Sequence, residues 1–235
     1  MSSQLMFLAL LPGILIIFIV YRKDRVEQEP KGLILKLIIF GALSCIPAVI
    51  GETFIDGLMP YEFRNGGLGF AMWNAFLSAA LFEELSKYLL LKLGSWRNRN
   101  FDYRFDAILY ATSVAVGFAL LENVLYVADG GIETALMRGV LSVPLHAFCG
   151  VFMGIYYGEA KQLQILGKFT GFAKLKALLI PMLIHGTYDT FAFLGNGIST
   201  ICLLAFVVFL YIIAIKAINR YSRDDWKNGL YQQQI

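Results

Sequence analysis

The chain has 235 residues, 58% of them hydrophobic and only 16% charged, with a formal net charge of +3 and a mean hydropathy of +0.64. A soluble globular domain carries about 25% charged residues, so the composition excludes an ordinary soluble protein and predicts an all-α, polytopic transmembrane helical bundle. The basic residues are dispersed between apolar runs and form no patch, so nucleic-acid binding has no footprint.

In chain order, apolar runs at 4–21, 33–51, 70–92, 105–128, 139–158, 177–195 and 199–216 predict about seven spans. The first lacks a preceding basic segment and a following A-x-A site, so it reads as a retained span and not as a signal peptide. Cys45, Cys149 and Cys202 all fall inside apolar runs without C-x-x-C spacing, as small buried residues do.

Between the runs the basic residues alternate. Segment 22–32 holds Arg22, Lys23, Arg25 and Lys31, whereas 52–69 holds only Arg64. Segment 93–104 holds Arg97, Arg99 and Arg104, whereas 130–138 holds only Arg138. Segment 159–176 holds Lys161, Lys168, Lys174 and Lys176, 196–198 none, and the residues past 216 Arg220, Arg223 and Lys227. Basic segments mark the cytoplasmic side, which predicts an outside N-terminus and a cytoplasmic C-terminus. No connection is long enough for a soluble domain, so residues 1–235 read as one integral membrane domain.

Ionisable residues inside such runs are costly and are functional candidates. The third run carries Glu83, Glu84 and Lys87, the fourth Glu122 followed by Asn123, the fifth His146, and the sixth His185 and Asp189. Both histidines of the chain are among them. Small residues at steps of four lead to each group: Ala75 and Ala79 to Glu83 and Lys87, and Ala111, Ala115 and Ala119 towards Glu122. Gly150, Gly154 and Gly158 extend the face of His146. Small-xxx-small stripes allow close helix approach, so the polar groups are expected to face neighbouring helices. At about 1.5 Å per residue, Glu122, His146 and Asp189 lie on the order of 8–12 Å below the outer surface, with Glu83 and His185 nearer the middle. Residues 70–195 therefore read as a core of four helices around one wet cavity.

This set supports hydrolysis. A buried glutamate can act as general base towards water, and His146, His185 or Asn123 can donate to an oxyanion. Glutamate and histidine are also zinc ligands, with Glu84, Glu122, His146 and His185 as candidate donors, although HExxH is absent. Metal-free and metal-assisted hydrolysis both remain open. A serine or cysteine nucleophile lacks support, because G-x-S-x-G is absent. Lys87 reads as an ion-pair partner of Glu83, as a side chain snorkelling towards the cytoplasmic interface, or as a group tuning the glutamates. Asp189, one turn from His185, can orient it. Two other classes fit buried Glu, His and Asp: a proton-coupled transporter and a non-catalytic membrane chaperone or immunity factor. The polar residues show no inverted-repeat symmetry of the kind transporters carry.

Four stretches, "EELSK" at 83–87, "FDAILYATSVAVGFALLEN" at 105–123, "RGVLSVPLHAFCGVFMG" at 138–154 and "HGTYD" at 185–189, resemble the PrsW-type intramembrane proteases. That group is related to the CPBP (Abi) superfamily, which includes the CAAX prenyl endopeptidases. The first two stretches correspond to the family's EExxK and FxxxE motifs, here Glu83, Glu84, Lys87, Phe118 and Glu122, and the others supply His146 and His185. Ala107 stands where the family pattern has glycine. The resemblance implies a multi-pass protease of the bacterial plasma membrane that cleaves a single-pass membrane protein, such as an anti-sigma factor, on its extracytoplasmic side. Glu83 and Glu84 would supply the base, Glu122 would position the water, and the histidines would bind the oxyanion or a metal.

Overall fold

The computed structural model describes residues 2–232, with side chains to residue 226. Lys227, counted above in the basic C-terminal stretch, lies beyond the described side chains. Among the described residues all regular structure is helical. Helix α1 (Ser3–Lys23), started by the Ser2 hydroxyl accepting from the Leu5 amide, leads to α2 (Lys31–Gly57). A short 3₁₀ turn at Tyr61–Phe63 precedes α3 (Gly67–Met72). A π-helical stretch, Trp73–Ala80, then continues into α4 (Leu81–Ser95). Helices α5 (Arg104–Val140), α6 (Ser142–Ile165), α7 (Gly171–Leu194) and α8 (Gly197–Gln232) complete the bundle. Gly195, at φ 58°, ends α7 in the left-handed conformation that glycine tolerates best.

Among the described residues, five helical stretches are long and apolar enough to cross a membrane: Ser3–Lys23, Lys31–Gly57, Arg104–Ile165, Gly171–Leu194 and Gly197–Trp226. The third is 62 residues long and contains two of the predicted runs. The predicted run 70–92 falls on α3, the π stretch and α4, where the π geometry and four charged residues interrupt a regular apolar helix. Large apolar side chains such as Phe7, Phe54, Ile50 and Ile198 are turned outward, as expected of a surface facing lipid.

The bundle is built around α5, whose residues 105–119 are all buried. It approaches α2 backbone to backbone, since a Cβ on Gly41 would meet the Val114 carbonyl and one on Gly117 the Ile38 carbonyl. The glycine stripe of α6 makes the other close crossing. A Cβ on Gly150 would lie 2.8 Å from Thr112 Cα, and one on Gly154 would lie 2.5 Å from Ile108 Cα. The α6 stripe thus fits against the small-residue stripe of α5, and Ala107 is part of the crossing.

Two local features depart from the sequence reading. The π stretch adds a residue to the turn, so the alanine stripe does not continue at steps of four into Glu83. Ala75 and Ala80, five apart, are fully buried, while Ala79 lines a cavity. The segment predicted as a loop at 130–138 is helical except at Gly131, where φ 71° and ψ −151° break α5. That combination belongs almost exclusively to glycine.

Candidate active site

A cavity of 380 Å³ opens among α2, the π stretch, α4, α5, α6 and α7, lined by Glu52, Glu83, Glu122, Arg138, His146, His185, Tyr188 and Asp189 among others. Glu83 reaches its wall, while Glu84, the next residue on α4, is fully buried behind it. Lys87 is also fully buried and is the hub of the cluster. Its ammonium donates to Glu83 Oε2 at 3.0 Å and to Glu84 Oε1 at 2.8 Å, and lies 3.1 Å from His146 Nδ1. It also sits 3.9 Å from the centre of the Phe118 ring, a cation–π contact in a desolvated setting. Lys87 is thus an ion-pair partner of Glu83 that also contacts the second glutamate and a histidine, and its full burial rules out snorkelling to the interface.

The histidines are oriented by the groups around them. An ammonium can only donate, so His146 accepts at Nδ1 and carries its hydrogen on Nε2, which donates to Glu122 Oε2 at 2.9 Å. Phe118 packs on the His146 ring at 5.5 Å between centroids. His185 contacts Glu84 Oε1 through Nδ1 at 2.9 Å and Asp189 Oδ2 through Nε2 at 3.2 Å. Asp189, one turn along α7, lies beside His185 as a close pair by distance. Gly186 allows the approach of α7, because a Cβ there would strike the Phe76 ring of the π stretch.

Arg138 is a site residue that sequence reading counted only as a loop charge. Its Nη2 is 2.7 Å from Glu122 Oε2, an ion pair by distance without hydrogen-bond alignment, and its guanidinium lies 4.1 Å from the Tyr126 ring centre. Sixteen residues along a straight helix would separate Glu122 and Arg138 by about 24 Å; the turn at Gly131 brings them together. Glu52 of α2 was missed as well, being at the edge of an apolar run. Residue spacing carries no sign of where the chain returns after Gly131.

Asn123 is not brought to the cavity as an oxyanion donor. Its Nδ2 donates to the Ala9 carbonyl of α1 at 2.8 Å, and its Oδ1 accepts from Arg138 Nε at 3.0 Å. It anchors Arg138 and is fully buried outside the cavity lining, out of reach of a substrate.

The donors suit a divalent metal. Glu83, Glu84, His146 and His185, all buried, each place one ligand atom so that the four lie within 4.8 Å of one another. Glu84 Oε2 is buried without a hydrogen-bond partner, a carboxylate oxygen with lone pairs to offer. For His146, whose nitrogens face Lys87 and Glu122, ligation would displace one of these. Glu122, expected among the donors, stands outside the group of four, its Oε2 being engaged by Arg138 and by His146.

Residues 29–215 match the family described as PrsW family intramembrane metalloprotease. The chain belongs to the PrsW family. It is 34% identical over 216 residues to a protein named Protease PrsW from Oceanobacillus iheyensis, covering 91% of this chain and 94% of that one. The protein of the same name from Bacillus subtilis is 34% identical over 206 residues, covering 87% and 89%. The one from Geobacillus kaustophilus is 36% identical over 178 residues, covering 76% and 75%. No solved structure matches the chain. The chain is therefore a peptidase and a multi-pass protein of the bacterial cell membrane, and its family is one of metalloproteases. These similarities give no support to the transporter or chaperone readings.

Proposed function

We propose that the chain hydrolyses a peptide bond in or near the membrane segment of a single-pass membrane protein, from the extracytoplasmic side, with residues 70–195 as the catalytic core. One observation carries this reading: Glu83, His146 and His185 line a polar cavity inside an apolar bundle, with Glu84 buried directly behind them. The alternation of loop charges supports about seven spans, with the N-terminus and the cavity's half of α5 outside and the C-terminus cytoplasmic. An anti-sigma factor is the substrate class that the family resemblance implies.

Glu83 is the general base. It lines the cavity, and with Oε2 held by Lys87 its other oxygen is the one left to take a proton from water and return it to the leaving amine. Glu84 fixes His185 and Lys87 from behind. Glu122 holds His146 in its tautomer and, with Arg138, presents a polar wall to the substrate carbonyl. Glu84, His146 and His185 would hold zinc beside Glu83, which stays free as the base; zinc suits carboxylate and imidazole donors. A divalent cation bound there supplies Lewis-acid polarisation of the scissile carbonyl. Glu122 then serves His146 as the outer carboxylate that orients metal-binding histidines elsewhere.

The test is cleavage of a single-span reporter by purified protein in proteoliposomes. Glu83→Gln removes the base at constant volume and should lose on the order of a hundredfold or more in rate, with normal insertion. Glu84→Gln should lose activity as well. Undiminished cleavage by both single variants and by the double variant would refute the assignment.

A further inference from the structure

A second buried acidic cluster lies at the other end of α5. Asp24 caps the C-terminus of α1, Glu29 closes the connection to α2, and Asp106 lies in the first turn of α5. They are 6%, 4% and 1% exposed, and one oxygen atom of each lies within 4.8 Å of the others. Sixteen residues of α5, about 24 Å, separate this cluster from Glu122.

We propose that Asp24, Glu29 and Asp106 form a binding site for a hard divalent cation of the calcium or magnesium class, which ties the α1–α2 connection to the start of α5.

Three carboxylates are packed together away from water, and among the described residues none has a lysine, arginine or histidine nitrogen within 4.0 Å. Buried anions left without a counter-charge are costly. Asp106 is partly satisfied, since its Oδ2 accepts from the amides of Asp102 and Tyr103 at 3.1 and 2.7 Å. Asp24 Oδ2 and Glu29 Oε2 are buried with no hydrogen-bond partner. They are the unpartnered polar atoms that turn an acidic cluster into a ligand set. Burial pushes the Asp24 carboxyl up to about 6 and that of Glu29 up to about 7, and the neighbouring acids Asp225, Glu27 and Asp102 act in the same direction on one or both. All the donors are oxygens, the chemistry of calcium and magnesium and not of softer metals.

The surroundings fit a clamp. The Tyr21 hydroxyl donates to the Glu29 carbonyl at 3.0 Å, folding the connection back onto α1. Helix α8 joins the same end of the bundle, with the Ser222 hydroxyl donating to the Lys23 carbonyl and the Phe105 amide to Asp225 Oδ2. A cation there would link the end of α1, the start of α2 and the start of α5 through their side chains.

The experiment uses the full chain in detergent at pH 8 after chelator treatment, with Ca²⁺ or Mg²⁺ added back and both binding and thermal unfolding measured. One ion per chain is expected, with a rise in Tm of roughly 5–10 °C at a hundredfold excess over Kd. Asp24→Asn and Glu29→Gln should abolish the response. They should also reverse the order of stability, unfolding above the wild type in chelator, where repulsion is relieved, and below it in saturating cation. His146→Gln, at the other cluster, should keep the full calcium response. Absence of binding by either ion overturns the proposal, and the variants then remain as stable as the wild type or more so, as three carboxyls sharing protons would require. Binding that survives both acidic-cluster variants overturns it equally, by placing the ion elsewhere.

Discussion

A single methyl group at Gly154 tests how the site is assembled. The Cβ of Gly154→Ala would lie 2.5 Å from Ile108 Cα and 2.6 Å from the Ala107 carbonyl oxygen, whereas carbon atoms pack at about 3.5–4.0 Å. The shortfall is on the order of 1 Å and falls on backbone atoms. Helix α5 is buried on every side over residues 105–119, so α6 must move instead. His146 rides on α6 two turns away, on the same face as Gly154. Its contacts to Glu122 and Lys87, at 2.9 and 3.1 Å, would stretch to about 4 Å, beyond hydrogen-bond range. Misplacement of about 1 Å at a catalytic group can lower a rate roughly a hundredfold, while overpacking of this kind costs about 1–3 kcal/mol of stability. Cleavage of a single-span reporter should therefore collapse while thermal unfolding in detergent shifts by only several degrees. The control is Gly32→Ala on α2, where an added Cβ meets nothing within 4 Å and both readouts should stay at wild-type values. Cleavage at the wild-type rate by Gly154→Ala would show that the α5–α6 crossing does not position His146.

Gly131→Ala perturbs the site from a different direction. No atom lies within 4 Å of the new methyl group, so the effect comes from forcing φ 71° on an alanine, about 1–3 kcal/mol of strain. The turn should relax, Arg138 should leave Glu122, and cleavage should fall with little loss of helix content by circular dichroism; unchanged cleavage would remove Arg138 from the site. For orientation, Tyr61→Cys, at an exposed position in the α2–α3 connection, should react with an impermeant thiol reagent in intact cells, whereas Lys168→Cys should not. The opposite pattern would place the cavity mouth on the cytoplasmic side.

Much of this arrangement was legible in the sequence, because a membrane makes each polar residue conspicuous. Glu83, Glu84, Lys87, Glu122, His146, His185 and Asp189 stood out against apolar runs, and the structure brings them together. The spacing of Gly150, Gly154 and Gly158 gave the face of α6, and the structure supplies its partner, α5. What stayed hidden depended on local backbone geometry. A π turn inserts a residue without any compositional mark, so the step from Ala75 to Ala80 was invisible. The break at Gly131 was visible only as a loop, and the return of Arg138 to Glu122 follows from dihedral angles that no spacing rule contains. Asn123 looked like an oxyanion donor because it follows Glu122, but successive helix residues point about 100° apart, and it faces α1 instead. The acidic cluster at Asp24, Glu29 and Asp106 escaped notice because its members are distant in sequence and sit at the ends of runs, where charges are ordinary.

The central claim is that the Glu83–Glu84–His146–His185 cluster is a metal-dependent peptidase centre. Its most direct test is metal content and cleavage measured on the same purified, reconstituted sample. Chelator treatment should remove close to one zinc per chain and abolish cleavage of the reporter, and one equivalent of zinc should restore both. In His146→Gln and His185→Gln neither the metal nor the activity should return. Full cleavage by protein stripped of metal would contradict the account, as would zinc retained at wild-type stoichiometry after both histidines are replaced.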